Sequence, residues 1–188
     1  TPENTIRVGY SYAHRTGSIV DYRGDWRLKV EHLGVTFLDQ YIYSANRAMK
    51  PEKIDAWEIG YLGDWRSWRA SLDARLFYEK IRDRLFVIDM GYGNDSIPST
   101  TLPIQNVNIQ GVEYQFKWQP FDSTRLALTQ TFARIDSDYL DSALAYPNTT
   151  LSQSGARRDI EELTERSTPR RSTSLLLMQK LPFGFELS

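Results

Sequence analysis

Cysteine is absent from the 188 residues, and with it go disulfide frameworks, thiolate catalysis and cysteine zinc sites. Long apolar runs are missing as well. The longest, Leu85 to Ile88 and Leu175 to Met178, hold four residues each, against the roughly 18 that a membrane-spanning helix requires. No excess of charge of one sign exists, since 23 Lys and Arg face 24 Asp and Glu for a net charge of −1. That balance carries no footprint of nucleic-acid binding, and no such partner is expected. The first residues, Thr1-Pro2-Glu3-Asn4, show neither a basic region nor an apolar core, so no targeting segment is legible there.

Aromatic residues are plentiful at 13%, with eleven Tyr and five Trp on a chain only 40% hydrophobic. Aromatic richness of this kind fits the interfacial girdles of a membrane barrel, and it also fits a carbohydrate-binding sandwich.

The next observation is alternation, because a strand with one wet and one apolar face places apolar side chains at every second position. Val112, Tyr114, Phe116 and Trp118 share one face, opposite Glu113, Gln115 and Lys117. Leu72, Ala74, Leu76 and Tyr78 lie opposite Asp73, Arg75 and Glu79, with Phe77 as the exception. Trp57, Ile59 and Tyr61 oppose Glu58 and Gly60. Weaker copies at Ile6 to Tyr12 and Leu126 to Phe132 bring the expectation to strands near 4–13, 54–62, 68–81, 107–118, 124–135 and 171–181, with another starting at 185. The run Leu175 to Met178 is apolar on both faces, which leaves its phase unassigned.

Connections alternate in length. Breaks at Gly63-Asp64-Trp65-Arg66, Gln119-Pro120-Phe121-Asp122-Ser123 and Pro182-Phe183-Gly184 read as short turns. Those at 15–53, 82–106 and 137–169 are long. Loops beyond about 12 to 15 residues are uncommon in compact soluble domains, whereas an outer-membrane barrel has short turns at one end and long loops at the other. Trp65, Trp68, Trp118, Phe121, Phe183 and Phe185 fall beside the short turns, where an aromatic belt would lie. The expected fold is therefore all-β, an antiparallel meander of six to seven long strands forming part of a transmembrane barrel. A soluble β-sandwich that recognises carbohydrate or protein through aromatic loops is the alternative.

On the barrel reading Trp57, Ile59, Tyr61, Leu72, Leu76, Tyr78, Val112, Tyr114, Phe116 and Trp118 face lipid, and Glu58, Asp73, Arg75, Glu113 and Lys117 face the lumen. The first long loop gathers Arg15, Tyr22, Arg23, Trp26, Arg27, Tyr41 and Tyr43, groups suited to stacking and anion pairing with a ligand. His14 and His32 have no third ligand at metal-binding spacing, and solvated loop histidines are the simpler reading. No Gly-x-Ser-x-Gly elbow is present, so no nucleophile is fixed and an enzyme is not expected. The cluster Asp89 to Asp95 lacks the order of calcium ligands and reads as turn chemistry; Asn94-Asp95-Ser96 and Asn148-Thr149-Thr150 are chance glycosylation patterns. Arg157 to Arg166 is a mixed-charge run with Ile160 and Leu163 at helical spacing.

Three motifs in order carry a resemblance. Lys50-Pro51-Glu52, followed by Glu58 and Gly60, is similar to the loop-to-strand signature of TonB-dependent receptors; Leu76-Phe77-Tyr78 with Ile81 and Asp83, and Asn106 with Gly111-Val112-Glu113, resemble the family's next two strands. Tyr10 to Ser18 is similar to a common strand exit of that family, with Gly17 where Pro is usual. The resemblance implies part of a 22-stranded barrel in the outer membrane of a Gram-negative bacterium. It also implies energy-coupled uptake of a scarce solute such as a ferric siderophore or other metal chelate. Its partners would be outer-membrane lipid, a plug domain of the same protein, a TonB-type coupling protein and the iron chelate or similar ligand, with no cofactor. Neither plug nor TonB box is recognisable in these residues, so the chain is expected to be a piece of a longer protein.

Overall fold

The computed structural model describes residues 3–91, 97–140, 143, 156–181 and 185–187. Its elements are β1 (Asn4–Arg15), α1 (Ile19–Arg23), β2 (Trp26–His32), β3 (Val35–Tyr43), β4 (Glu52–Trp65), a 3-10 turn Arg66–Trp68, β5 (Ala70–Asp89), β6 (Ser99–Phe121), β7 (Thr124–Tyr139), α2 (Ala156–Glu165), β8 (Arg171–Lys180) and β9 (Glu186–Leu187). The nine strands of the described residues belong to one sheet: seven follow the order β1-β4-β5-β6-β7-β8-β9, and the β2–β3 hairpin lies off that path, joined to β6 by a parallel pairing of Tyr43 with Ser99. Each neighbouring pair along that path is antiparallel. A single twisted layer is not a sandwich, because no second sheet packs on it among the described residues.

The strands run further than alternation alone suggests. Gly63 reads as a turn residue, yet β4 continues through it to Trp65, and the turn follows at Arg66–Trp68 with Arg69 left-handed at φ 49°. Gly63 is small for a packing reason: Trp65 and Tyr61, two residues to either side and on the same face, close over it at 2.8 and 3.0 Å from where a Cβ would stand. Pro120, also read as a turn residue, lies inside β6, where a register shift between Trp118 and Phe121 removes the need for its missing N–H. The third short turn, 182–184, lies outside the described residues.

The connection read as 82–106 is largely strand. β5 and β6 stay paired up to Asp89 opposite Ser99, across a register shift between Ile81 and Arg84. Asp83 sits in that bulge at φ 57°, a conformation Asp tolerates better than most side chains. The carboxamide Oδ1 of Asn106 accepts from the Asp83 N–H at 3.2 Å. This gives the motif asparagine a physical role: it satisfies the backbone donor the bulge exposes.

The first long connection is also structured. β2 and β3 form a hairpin closed by Leu33 and Gly34, both at positive φ (50° and 75°), as a two-residue turn compatible with strand twist requires. In the last connection the mixed-charge run is helix α2. Its Ile160 packs on the buried cluster of Ile88, Leu102, Ile104, Tyr139 and Ala143.

Candidate functional site

Cross-strand partners share a face of the sheet, so the register sorts every side chain. Five rows stack on one face of β4–β7. They run from Trp57, Tyr78, Gln110 and Arg134, through Ile59, Leu76, Val112 and Phe132, then Tyr61, Ala74, Tyr114 and Gln130, then Gly63, Leu72, Phe116 and Leu128, to Trp65, Ala70, Trp118 and Leu126. Tyr10, Val8 and Ile6 of β1 extend the upper rows. One row above, the same face turns polar: Asp55, Lys80, Asn108 and Asp136. The apolar strip is thus bounded by aromatic residues at both ends, with Tyr10 and Trp57 rings 4.3 Å apart at the top and Trp65 and Trp68 6.2 Å apart at the bottom.

The eight residue steps from Trp57 to Trp65 span about 27 Å at ~3.4 Å per residue. Tilted by about 40°, as barrel strands are, that is roughly 21 Å of height, close to the ~25 Å apolar band of an outer-membrane barrel.

The opposite face carries a lattice of charge. Arg7 reaches Asp73 at 2.9 Å, and Arg75 lies between Glu113 at 3.0 Å and Glu58 at 3.5 Å. These groups surround a hollow of about 440 Å³ floored by Gly60. Three glycines on this face are each covered by a cross-strand neighbour: Gly9 by Glu58, Gly60 by Arg7, Gly111 by Phe77. Phe77, the exception to polar character in β5, has its ring over Gly111, and the guanidinium of Arg75 lies 5.5 Å from the ring centre. A Cβ on Gly111 would stand 2.3 Å from the carbonyl oxygen of Phe132, so no other residue fits there.

Beyond the polar row the loops begin, and α1 organises the first of them. Ser18 and Asp21 form a reciprocal capping box. The Asp21 carboxylate also accepts from Thr101 at 2.7 Å and from Tyr43 at 3.0 Å, tying α1, β3 and β6 together. Burial acts to raise the Asp21 pKa, but hydrogen bonds from Thr101, Ser18 and Tyr43 outweigh it and hold the group below its ordinary value.

Of the seven loop residues singled out from the sequence, Tyr43 is buried in this junction, and Trp26 stacks on it with ring centres 5.9 Å apart. Arg27 is held by both carboxylate oxygens of Asp39 at 2.5 and 2.6 Å, and Tyr41 stands opposite Arg27 in the hairpin. Arg15, at the top of β1, meets Glu52 at 2.5 Å. Tyr22 and Arg23 differ from these five: with Arg47 they line an open hollow of about 1090 Å³ beside α1.

Several residues that hold the loops escaped sequence reasoning. Glu52 of the Lys-Pro-Glu motif is 2% exposed and accepts from the Leu85 N–H at 2.7 Å as well as from Arg15. Buried Gln105 accepts from Arg84 at 3.1 Å and from Thr164 of α2 at 3.0 Å. The Ser-x-x-Asp spacing at Ser18 was a legible cap signature; Gln105 and Thr164, far apart in sequence, left none. Among the described residues no three His, Cys, Asp or Glu come together as a metal site; His14 bonds instead to the Tyr12 hydroxyl at 2.8 Å.

Comparison with known proteins follows the same lines. The FrpB iron transporter from Neisseria meningitidis (F3-3 variant) superposes with a TM-score of 0.61 at 12% identity, covering 96% of this chain and 22% of that one. The pyoverdine outer membrane receptor FpvA from Pseudomonas aeruginosa PAO1 gives 0.56 at 13% identity, with 95% and 20% covered. The RagAB peptide transporter gives 0.55 at 12%, with 72% and 15% covered. The chain therefore spans about a fifth of the length of the first two structures. No curated protein matches its sequence. The family model of the TonB-dependent receptor-like β-barrel matches residues 1–178, and the chain belongs to that family of outer-membrane barrels.

Proposed function

We propose that this chain is a section of barrel wall, with its mouth loops, of a receptor that takes up a scarce solute across the outer membrane of a Gram-negative bacterium by coupling to a TonB-type protein. The reading rests on one observation above the others: an apolar strip nearly as tall as the apolar band of an outer-membrane barrel, edged by aromatics, backed on the other face by paired charge. In this reading the face of Trp57, Val112 and Trp118 meets lipid. The face of Glu58, Asp73, Arg75, Glu113 and Lys117 meets the lumen and the plug domain lodged there. Its lattice holds three carboxylates against two guanidiniums, which suits a further cation supplied by the plug.

Ligand capture belongs to the loops. Tyr22 and Arg23 are the proposed ligand contacts, a reading supported by their position in the open hollow beside α1, while Arg15, Trp26, Arg27, Tyr41 and Tyr43 shape the loop that presents them. A ferric siderophore or other metal chelate is the proposed cargo, supported by an iron transporter and a pyoverdine receptor among the structural neighbours. Members of this family are transporters rather than enzymes, and the chain is proposed to have no catalytic role.

Uptake of labelled ferric chelates by cells producing the full-length receptor tests this. Accumulation that depends on the receptor and collapses with a protonophore supports it; receptor-dependent uptake unaffected by the protonophore overturns the energy coupling. A bimane label at Val112 quenched by nitroxide lipid, beside an unquenched label at Gln115, tests the assignment of faces.

A further inference from the structure

Leu175 to Met178 has no phase in the sequence, but the pairing of β7 with β8 supplies one. Leu175 and Leu177 stand with Leu128 and Leu126 on the apolar face, whereas Leu176 and Met178 stand with Ala127 and Arg125 on the other. Higher on that second face β8 presents Ser172 and Ser174, and β5 and β6 present Asp73, Arg75 and Glu113. Leu176 and Met178 are therefore an apolar patch on a polar surface, and Leu176 remains 45% exposed. Apolar side chains set among polar neighbours gain from burial by a partner.

The patch floors a hollow of about 550 Å³ at the short-turn end of the sheet, rimmed by four cations, Arg66, Arg69, Lys117 and Arg125, and one carboxylate, Asp64. Arg69 is paired with Asp122 at 2.5 Å and Arg66 lies 3.7 Å from Asp64. Lys117 and Arg125 have no carboxylate partner among the described residues. The charge here is opposite to that of the neighbouring lattice, where carboxylates outnumber guanidiniums.

We propose that this hollow docks a stretch of the plug domain that carries carboxylates beside an apolar side chain. The inference rests on the reading of the chain as the wall of a plugged barrel. An apolar floor disfavours a fully hydrated anion. Two unpartnered cations disfavour a purely apolar occupant, and a position on the inner face is out of reach of the bilayer. Charge complementarity sets where the stretch lies, and burial of Leu176 and Met178 holds it there.

This segment has no cysteine of its own, so disulfide trapping reads the contact directly in the full-length receptor, with folding checked by heat-modifiable migration. With Ala127→Cys, cysteines placed along the plug are expected to crosslink at its acidic stretches about tenfold better than elsewhere. Joint Lys117→Glu and Arg125→Glu reversal should cut that yield about tenfold, while Lys117→Arg with Arg125→Lys should keep it. Yields indifferent to plug charge, or unchanged by the reversal, overturn the proposal. Gln115→Cys, in the lattice, separates the two levels. If Gln115→Cys traps the plug and Ala127→Cys does not, the docking falls alone; if neither traps it, the plugged-barrel reading falls as well. Quenching of a label at Ala127 by nitroxide lipid would assign the hollow to lipid and likewise overturn it.

Discussion

Below the row of Trp57 and Tyr78, the strands present two dressed faces and bury almost nothing between them; above it, the same strands build a core. The upper part buries Ile88, Leu102, Ile104 and Tyr139, and its polar groups close on one another through Asp21, Glu52 and Gln105. The lower part exposes Ile59, Leu76 and Leu175 on one side and its ion pairs on the other. The two halves are therefore stabilised by different things. The mouth is held by its own contacts, and the band depends more on what surrounds it, with backbone pairing and exposed ion pairs as its internal resources.

The change expected to separate the halves most strongly is Gly111→Val, whose Cβ would collide with the Phe132 carbonyl and the Phe77 ring. A cost of roughly 4 kcal/mol or more is expected, read as loss of heat-modifiable folded receptor in SDS gels. Next is Val112→Arg. With that face against lipid, as proposed, it should cost about 3 kcal/mol in urea unfolding from bilayers, whereas Gln115→Arg on the opposite face should cost under about 1 kcal/mol. Equal costs would remove the distinction between faces.

Glu52→Ala acts on the mouth alone. It leaves the Leu85 N–H without its acceptor and should destabilise the loops by about 2 kcal/mol, seen as faster proteolysis in 15–53 with the band's urea midpoint unchanged. The smallest effect is of pH. Because the Asp21 pKa is lowered in the folded loop, its stabilisation is complete above the ordinary carboxylate value and is lost as pH falls through the lower folded value. Trp26 fluorescence should thus stay constant from neutrality down to about pH 4 and change only below it. Asp21→Asn should remove that acid transition.

The same contrast explains what the sequence reveals. In the band each side chain answers to one of two environments, so the period-2 pattern at Val112 to Trp118 states the face directly, and the meander follows from short and long connections. Above the band that rule lapses. Leu85 to Ile88 shows no alternation although Phe86 and Ile88 turn to the buried cluster and Val87 stays 62% exposed, and β5 and β6 there read as a loop. In the β2–β3 hairpin the alternation of Trp26, Leu28 and Val30 with Arg27, Lys29 and Glu31 is legible in β2, whereas β3 carries the extra residues Phe37 and Ile42 at its register shifts, which break the pattern there. Of the loop residues proposed from composition, Arg27 and Tyr43 proved to have partners at Asp39, Asp21 and Thr101, pairings that only the tertiary fold creates.

One feature of α2 bears on the rim. β8 pairs with β7 only as far as Phe132, and β7 then rises alone on that side. There the backbone amides of Ser137 and Tyr139 donate to Glu165 and Glu161 of the helix, at 3.3 and 3.2 Å. Two carboxylates thus occupy positions another strand would otherwise seek, and a bare edge invites unwanted pairing between molecules. The wall can end at different heights on the two sides of β7, a crenellated mouth, without that tall strand becoming a seed for aggregation.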